Sequence, residues 1–293
     1  YTAKGETTDL YKDGTQSSSA FIGNYTNSFN GAVHMLFRSN LSFDIICELN
    51  IDELSKYAML ILPTYAFIND EALAKIRQFV KDGGILIADS ETSLYNLKNE
   101  KLDNFALADV FGADYSGTNK KYNPFDYFQP SSELKTGKLA EINYLPAPLT
   151  ALDITPAKNS EVIGKLCPPL AGRYSAKPSD GIFPFIIKNK YGKGCSYYFA
   201  GTFFELYNMH AHVLYRELVK SIVNKEVKLD VELTGAPESV DMTIRKNLDS
   251  GETVIHLLNY TGGMSRPIDN LVPVNGLKIK SPLKITKARA LRK

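Results

Sequence analysis

The chain has 293 residues, 44% of them hydrophobic and 23% charged, and its Lys and Arg exceed its Asp and Glu by 34 − 32 = +2. That length holds one large domain or two smaller ones at roughly 100–200 residues each, and the near-neutral balance excludes the strong field that would favour nucleic acid or an anionic membrane. No run reaches the ~18 apolar residues of a membrane span, since "YAMLILPTYAFI" is broken by Pro63.

The first 28 residues are polar and read as loop; the start lacks Met and a signal-peptide pattern, which reads as a processed or trimmed end. "SFNGAVHMLFRSN" follows with a helical stripe of Phe29, Val33, Leu36 and Phe37, Ser28 as N-cap and Asn40 closing the C-terminus in a left-handed conformation. "SFDIICEL" reads as a strand. "YAMLILP" is a continuous apolar run, the pattern of a strand covered on both faces. Asn69 caps the next helix, Asp70 and Glu71 occupy its first turn, Leu73, Ile76, Phe79 and Val80 form its buried face, and Gly83-Gly84 ends it before the strand "ILIAD". This is a β–α–β unit. Parallel pairing would bring Pro63 and Asp89 to the sheet edge where open α/β folds bind ligands.

"KLDNFALADVFG" reads as a further amphipathic helix. From Ala113 to Phe185 nine prolines break the pattern, and "EINYL", "ALDIT" and "EVIGKL" are expected as short antiparallel strands in an excursion from the sheet. "GIFPFIIKNKYGKGCSYYFAGT" reads as a hairpin turning at "KYGKG", and one last helix runs from about Phe203 to Val223. Beyond Lys225, "VKLDVEL", "SVDMTIRKN", "ETVIHLLNY", "GLKIK" and "KITKARAL" are short alternating segments, with a hairpin turn at "NLDSGET". They predict a small all-β sandwich over 226–293, after an α/β domain over 1–225.

Ser90 follows the "ILIAD" strand where such folds present a nucleophile. The elbow of that chemistry needs small flanking residues. Here Asp89 and Glu91 flank the serine, and two carboxylates oppose the oxyanion of acyl transfer. Ser90 is therefore expected to be a loop or cap residue; the weaker reading is a hydrolase that uses Ser90, or else a carboxylate pair drawn from Asp89, Glu91 and Glu205. Glu205 completes a Thr-x-x-Glu capping box with Thr202, and capping is favoured over catalysis. His210 and His212, two apart on a helix, would point to different sides, so no metal set is expected. "KYGKG" has the glycines of a phosphate loop without its spacing, and a hairpin turn is the reading. Cys47, Cys167 and Cys195 are far apart and read as small hydrophobes. In "KKYNPFDYF", Tyr122, Phe125, Asp126, Tyr127 and Phe128 are candidates for carbohydrate or partner contact, against the alternative that the rings fold onto their own domain. Trp is absent, which disfavours a complete sugar-cleaving site. No cofactor is expected.

Three stretches together, "YAMLILPTYAFINDEALAKIRQFVKDGGILIADS", "ADVFGA" and "IKNKYGKGCSYYFAGTFFE", resemble the trimerisation domain of bacterial β-galactosidases and related glycoside hydrolases. The closing "ETVIHLLNYTGGMSRPIDNLVPVNGLKIK" resembles the small β domain that follows it. The resemblance implies an amidotransferase-like, flavodoxin-like fold: a mostly parallel sheet with helices on both faces. It also implies a homo-oligomer, and a preceding (β/α)8 barrel that holds the catalytic carboxylates. Nothing in this chain resembles that barrel, so no catalytic residue carries over. The elbow cysteine of true amidotransferases is replaced by Ser90 or a neighbour, and their His-x-Glu is reduced to Glu205. The fold's first strand has no good counterpart in "YTAKGETTDLYKDG". The expected role is a non-catalytic C-terminal module that assembles subunits and shapes the barrel's active-site mouth. An amidotransferase-like hydrolase or a carbohydrate-binding module are the alternatives.

Overall fold

The computed structural model describes residues 25–119, 127–148, 150–168, 178–229, 231–247, 249–262, 270, 272–281, 287 and 289. In chain order its elements are α1 (Tyr25–Arg38), a 3-10 stretch (Glu48–Lys56), β1 (Met59–Leu62), α2 (Asp70–Asp82), β2 (Ile85–Asp89), α3 (Ala108–Phe111), β3 (Ala113–Asn119), β4 (Tyr127–Pro130), β5 (Leu145–Pro146), β6 (Ala151–Pro156), β7 (Glu161–Leu166), β8 (Phe183–Tyr191), β9 (Gly194–Phe199), α4 (Phe203–His210), α5 (Val213–Glu226), β10 (Glu232–Thr234), β11 (Val240–Lys246), β12 (Thr253–Asn259) and β13 (Lys278–Lys280). They divide into two compact units, one within Tyr1–His34 and Ile45–Val223, the other within Met35–Asp44 and Asn224–Lys293.

The β–α–β unit forms as its sequence dictates. Asn69 accepts the Ala72 N–H at 2.8 Å, which satisfies a donor that a helix start would otherwise leave open. The buried face of α2 is Ala72, Leu73, Ile76, Phe79 and Val80, and Gly83, at φ 126°, returns its N–H to Phe79 and Val80. β1 and β2 pair in parallel, Met59 with Ile85 through Leu62 with Ala88. β2 is buried along its whole length, and β9 flanks it in parallel on the other side.

The sheet then changes character. Its order is β1-β2-β9-β8-β7-β4-β5, and every pairing from β9 outward is antiparallel. The expectation of a mostly parallel sheet is corrected: the irregular middle of the chain supplies three of the seven strands of the main sheet, β4, β5 and β7. Tight hairpin and meander connections impose antiparallel pairing, because parallel neighbours need long crossovers. "EVIGKL" is β7 and "ALDIT" lies in β6, which pairs with β3 in a separate ribbon. "EINYL" contributes only Leu145, to β5.

Other local expectations also change. "SFDIICEL" forms no strand: its first six residues carry no regular secondary structure, and Glu48 and Leu49 already belong to the 3-10 stretch. The helix expected from Lys101 shrinks to α3, where Leu107 makes no side-chain cap bond. Ser28 lies inside α1 instead of capping it, while Asn40 has φ 55°, as expected. The last helix is two helices, because Ala211 adopts φ 47° and breaks it between His210 and Val213.

The "KYGKG" turn explains its glycines by packing. Lys193 donates its N–H to Lys81 O at 2.9 Å, so the turn caps the end of α2. A Cβ on Gly194 would lie 2.1 Å from Gly84 O and 2.4 Å from Val80 O. Gly194→Ala is therefore expected to cost about 2 kcal/mol or more, as overpacking does. Urea unfolding of the variant checks it, and an unchanged midpoint contradicts the close approach.

Aromatic rings fill the core in place of Trp. Tyr198 and Phe199 are consecutive on β9 and so face opposite sides of the sheet. Tyr198 stacks on Phe111 at 4.6 Å and Phe199 on Phe203 at 4.4 Å. Cys167 and Cys195 are buried and Cys47 half-buried, and none of the three forms a disulfide. In the second unit, Val231, Leu233, Val240 and Met242 form a small core beneath two antiparallel pairs, β10–β13 and β11–β12. The Asn247–Glu252 turn closes the second pair, with Gly251 at φ 71°. Most of "KITKARAL" lies outside the described residues.

Candidate functional site

Open α/β sheets bind ligands beyond the C-termini of their parallel strands, which here are β1, β2 and β9. The residues there are Thr64 after β1, the run Asp89-Ser90-Glu91-Thr92-Ser93 after β2, and the start of α4 after β9. All five residues of the run are buried, at 0–1% exposure. Five consecutive buried polar side chains demand partners, because an unpaired one costs stability.

Asp89 finds three. Its Oδ1 accepts the Thr64 N–H at 2.6 Å and the Thr64 hydroxyl at 3.0 Å, and its Oδ2 accepts the Phe204 N–H at 3.0 Å. It thus holds the turn after β1 and the first turn of α4. Burial is the largest influence on its acidity and pushes the carboxyl up from 3.8 to about 7, against the two backbone donors and the Thr64 hydroxyl, with Glu205 nearby adding to the rise. The Thr64 hydroxyl is itself joined to Ser28 Oγ on α1 at 2.9 Å.

Ser90 has φ 49°, a left-handed conformation that is strained for a residue other than glycine. Its backbone is fully engaged: the N–H donates to Phe199 O at 2.8 Å and the carbonyl accepts the Tyr198 hydroxyl at 2.6 Å. Burial, with Asp89 and Glu91 nearby, raises the Tyr198 hydroxyl well above 10.0, so it stays a donor. Ser90 Oγ is buried and has no hydrogen-bond partner among the described residues. A serine nucleophile needs a base in contact and an open approach for substrate, and Ser90 has neither here.

Glu91 pairs with Lys101 Nζ at 3.1 Å and accepts from the Tyr95 hydroxyl at 3.4 Å. Lys101 lies over the Tyr115 ring at 4.7 Å. Thr92 Oγ1 accepts the Tyr65 N–H at 3.1 Å and lies 2.7 Å from Asp89 O, to which it donates. Ser93 Oγ accepts the Leu107 N–H at 3.2 Å. The carboxylates proposed as a pair are thus committed to different partners.

Glu205 is half-buried and accepts from Asn27 Nδ2 at 3.5 Å. The capping box expected for it does not form: Thr202 makes no side-chain cap bond, and Asp89 caps α4 from another strand. His210 ends α4, while His212 Nδ1 accepts the Leu214 N–H at 3.3 Å. Among the described residues no group of three or more His, Cys, Asp or Glu is placed to hold a metal, and no helix is long and apolar enough to cross a membrane.

Tyr122, Phe125 and Asp126 lie outside the described residues. Tyr127 is half-buried, its ring 6.5 Å from that of Tyr144. Phe128 is a core residue, fully buried against Phe185 at 4.9 Å. The alternation of β4 turns it inward, so this ring is not available for ligand contact. The role of Asp89 as a tertiary cap was not legible in the sequence. Its signal is five polar residues following a wholly apolar strand.

The sheet, the α2 crossover and a serine turn closed over by its own domain define an α/β module of mixed topology. The chain belongs to the β-galactosidase trimerisation domain family, whose sequence profile matches residues 24–229. Among solved structures it is similar to the β-galactosidase of Bacillus circulans sp. alkalophilus, with 20% identity and a TM-score of 0.62 over 81% of this chain and 32% of that one. It is also similar to α-L-fucosidase isoenzyme 2 of Paenibacillus thiaminolyticus, with 21% identity and a TM-score of 0.70 over 92% of this chain and 42% of that one. The β-galactosidase of Rahnella sp. R3 matches at 17% identity and a TM-score of 0.61, over 87% of this chain and 36% of that one. The chain spans only 32–42% of the length of these proteins. No curated protein matches it.

Proposed function

We propose that this chain is a non-catalytic C-terminal module of a glycoside hydrolase. It assembles subunits and shapes the active-site mouth of a (β/α)8 barrel carried by the same protein. Residues 1–225 form its amidotransferase-like, flavodoxin-like domain and 226–293 its β-sandwich. The observation that carries the reading is the state of the sheet edge: Asp89 through Ser93 are all buried, and every side chain of the run but that of Ser90 is bonded within its own domain. A fold whose ligand edge is consumed internally keeps its surfaces for assembly. The family membership, and the share of its relatives' length that the chain spans, support the same reading.

Sedimentation of the purified chain is expected to give a homo-oligomer at micromolar concentration, with no turnover of aryl-glycosides or glutamine. A monomer sinks the assembly role, and ordinary turnover lost on Ser90→Ala sinks the non-catalytic one.

A further inference from the structure

Two asparagines in the chain are followed by glycine, Asn30 and Asn275. The side-chain amide of an asparagine is open to attack by the backbone nitrogen of the next residue. Glycine favours the attack, because a residue without Cβ reaches the backbone conformations that bring the two groups together. Whether either pair reacts is decided by the fold around it.

Asn30 is held out of reach. It lies inside α1, where each backbone N–H is spent on a carbonyl four residues back. Gly31 is buried, and a Cβ on it would lie 1.9 Å from Phe204 O, so the helix is pinned at this point. The Gly31 nitrogen cannot swing towards Asn30 Cγ without breaking the helix. Asn275 has no such restraint. It is exposed and lies in neither helix nor strand, and its side chain makes no hydrogen bond among the described residues. The Gly276 N–H makes no backbone hydrogen bond among them either. Gly276 has φ 77°, and a Cβ placed on it would meet nothing within 4 Å, so water reaches the bond.

We propose that Asn275–Gly276 is a self-modification site, whose conversion to isoaspartate loosens β13 from the core of the second unit. The Gly276 nitrogen gives its proton to solvent base and attacks Asn275 Cγ. A C–N bond forms, the side-chain nitrogen leaves as ammonia, and a cyclic imide remains. Water then opens the imide. Attack at the former side-chain carbonyl gives aspartate; attack at the main-chain carbonyl gives isoaspartate, in which the chain runs through Cβ. The sum is amide plus water to carboxylate plus ammonium, and nothing is oxidised or reduced.

The consequence follows from what flanks the site. Val274 and Leu277 both pack against the small core of Val231, Leu233, Val240 and Met242. Leu277 leads directly into β13, which pairs with β10 from Lys278–Thr234 to Lys280–Glu232. A Cβ on Gly235 would lie 2.8 Å from Gly276 O, so the chain here runs close against the turn after β10. Isoaspartate lengthens the main chain between Val274 and Leu277 by one methylene and adds a free carboxylate. The two apolar side chains then cannot both keep their seats, and the core they cover is too small to hold the strand without them.

The full chain is incubated at mildly alkaline pH, native and in urea. Isoaspartate is measured by enzymatic methyl transfer to its free carboxylate and located by peptide mass spectrometry. In the native chain it is expected at position 275 and not at 30; in urea, where α1 is gone, it is expected at both. Asn275→Ser is expected to lose the native signal completely. After conversion, the amides of β10 and β13 are expected to exchange with deuterium roughly tenfold faster than in Asn275→Ser treated alike, the size of an ordinary core substitution, while those of β1 and β2 are unchanged. Native conversion at 30 as fast as at 275, or none at 275, overturns the site. Conversion that leaves the exchange of β10 and β13 unchanged overturns its consequence.

Discussion

Asp89→Ala is expected to destabilise the first unit by about 4 kcal/mol, measured as the fall in urea-unfolding free energy. The change leaves the N–H groups of Thr64 and Phe204 without their acceptor, and both bonds are internal to the protein. Each buried donor left unpaired costs roughly 1–3 kcal/mol, and the vacated space adds to that. Asp89→Asn is expected to recover about half, since its carbonyl oxygen still accepts from Thr64 while its NH2 faces the Phe204 N–H. Two variants as stable as wild type would show that Asp89 does not clamp the edge.

The same carboxyl sets a pH dependence with a definite sign. Burial raises Asp89 in the folded state from 3.8 to about 7, so between those values the native state keeps a proton that the unfolded chain has released. The contribution is fully present below pH 4 and is lost as pH rises through 7, amounting to about 4 kcal/mol in all. Comparing wild type with Asp89→Asn at pH 5 and pH 8 isolates it, because the other groups cancel in the difference. Wild type is expected to lose stability relative to the variant on going to pH 8. The opposite trend would mean that the hydrogen bonds outweigh burial.

Gly31→Ala is expected to be the second large loss, about 2–3 kcal/mol. In an exposed helix the change would gain about 1 kcal/mol from Ala's higher helix propensity. Here Gly31 sits where α1 crosses α4, and an added Cβ would lie 1.9 Å from Phe204 O and 3.2 Å from the Asn208 N–H nitrogen. The atoms in the way are backbone, so no rotamer change relieves the overlap. Either α1 lifts off α4, straining the Ser28–Thr64 contact, or α4 shifts away from Asp89. Thermal unfolding distinguishes the two expectations by sign: a raised midpoint would mean that the helices do not touch at this point.

What was legible in the sequence follows from how local each signal is. The β1–α2–β2 unit was readable because every cue lies within its own turn: Asn69 caps the residue three ahead, the apolar stripe repeats at helical spacing, and Gly83 supplies the left-handed exit. The "KYGKG" hairpin was readable from its turn residues, although not the reason for Gly194, which is the end of α2 against it. "KLDNFALADVFG" was misread because its apolar residues serve contacts elsewhere in the fold, whereas "SFDIICEL" leaves Ile45 and Leu49 exposed and forms no strand. Phe105, for instance, packs on Tyr198 at 5.2 Å without being helical.

By itself the sequence determined the parallel unit, the β-strand character of the C-terminal segments and the family. Only the tertiary structure decided that the middle of the chain completes the main sheet. It also placed Phe128 in the core and made Asp89, not Thr202, the cap of α4. The physical reason is range. Capping, periodicity and turn chemistry act over three or four residues and leave their mark in order along the chain. The donors that Asp89 satisfies lie 25 and 115 positions away, and nothing in local spacing encodes which distant N–H a buried carboxyl will meet.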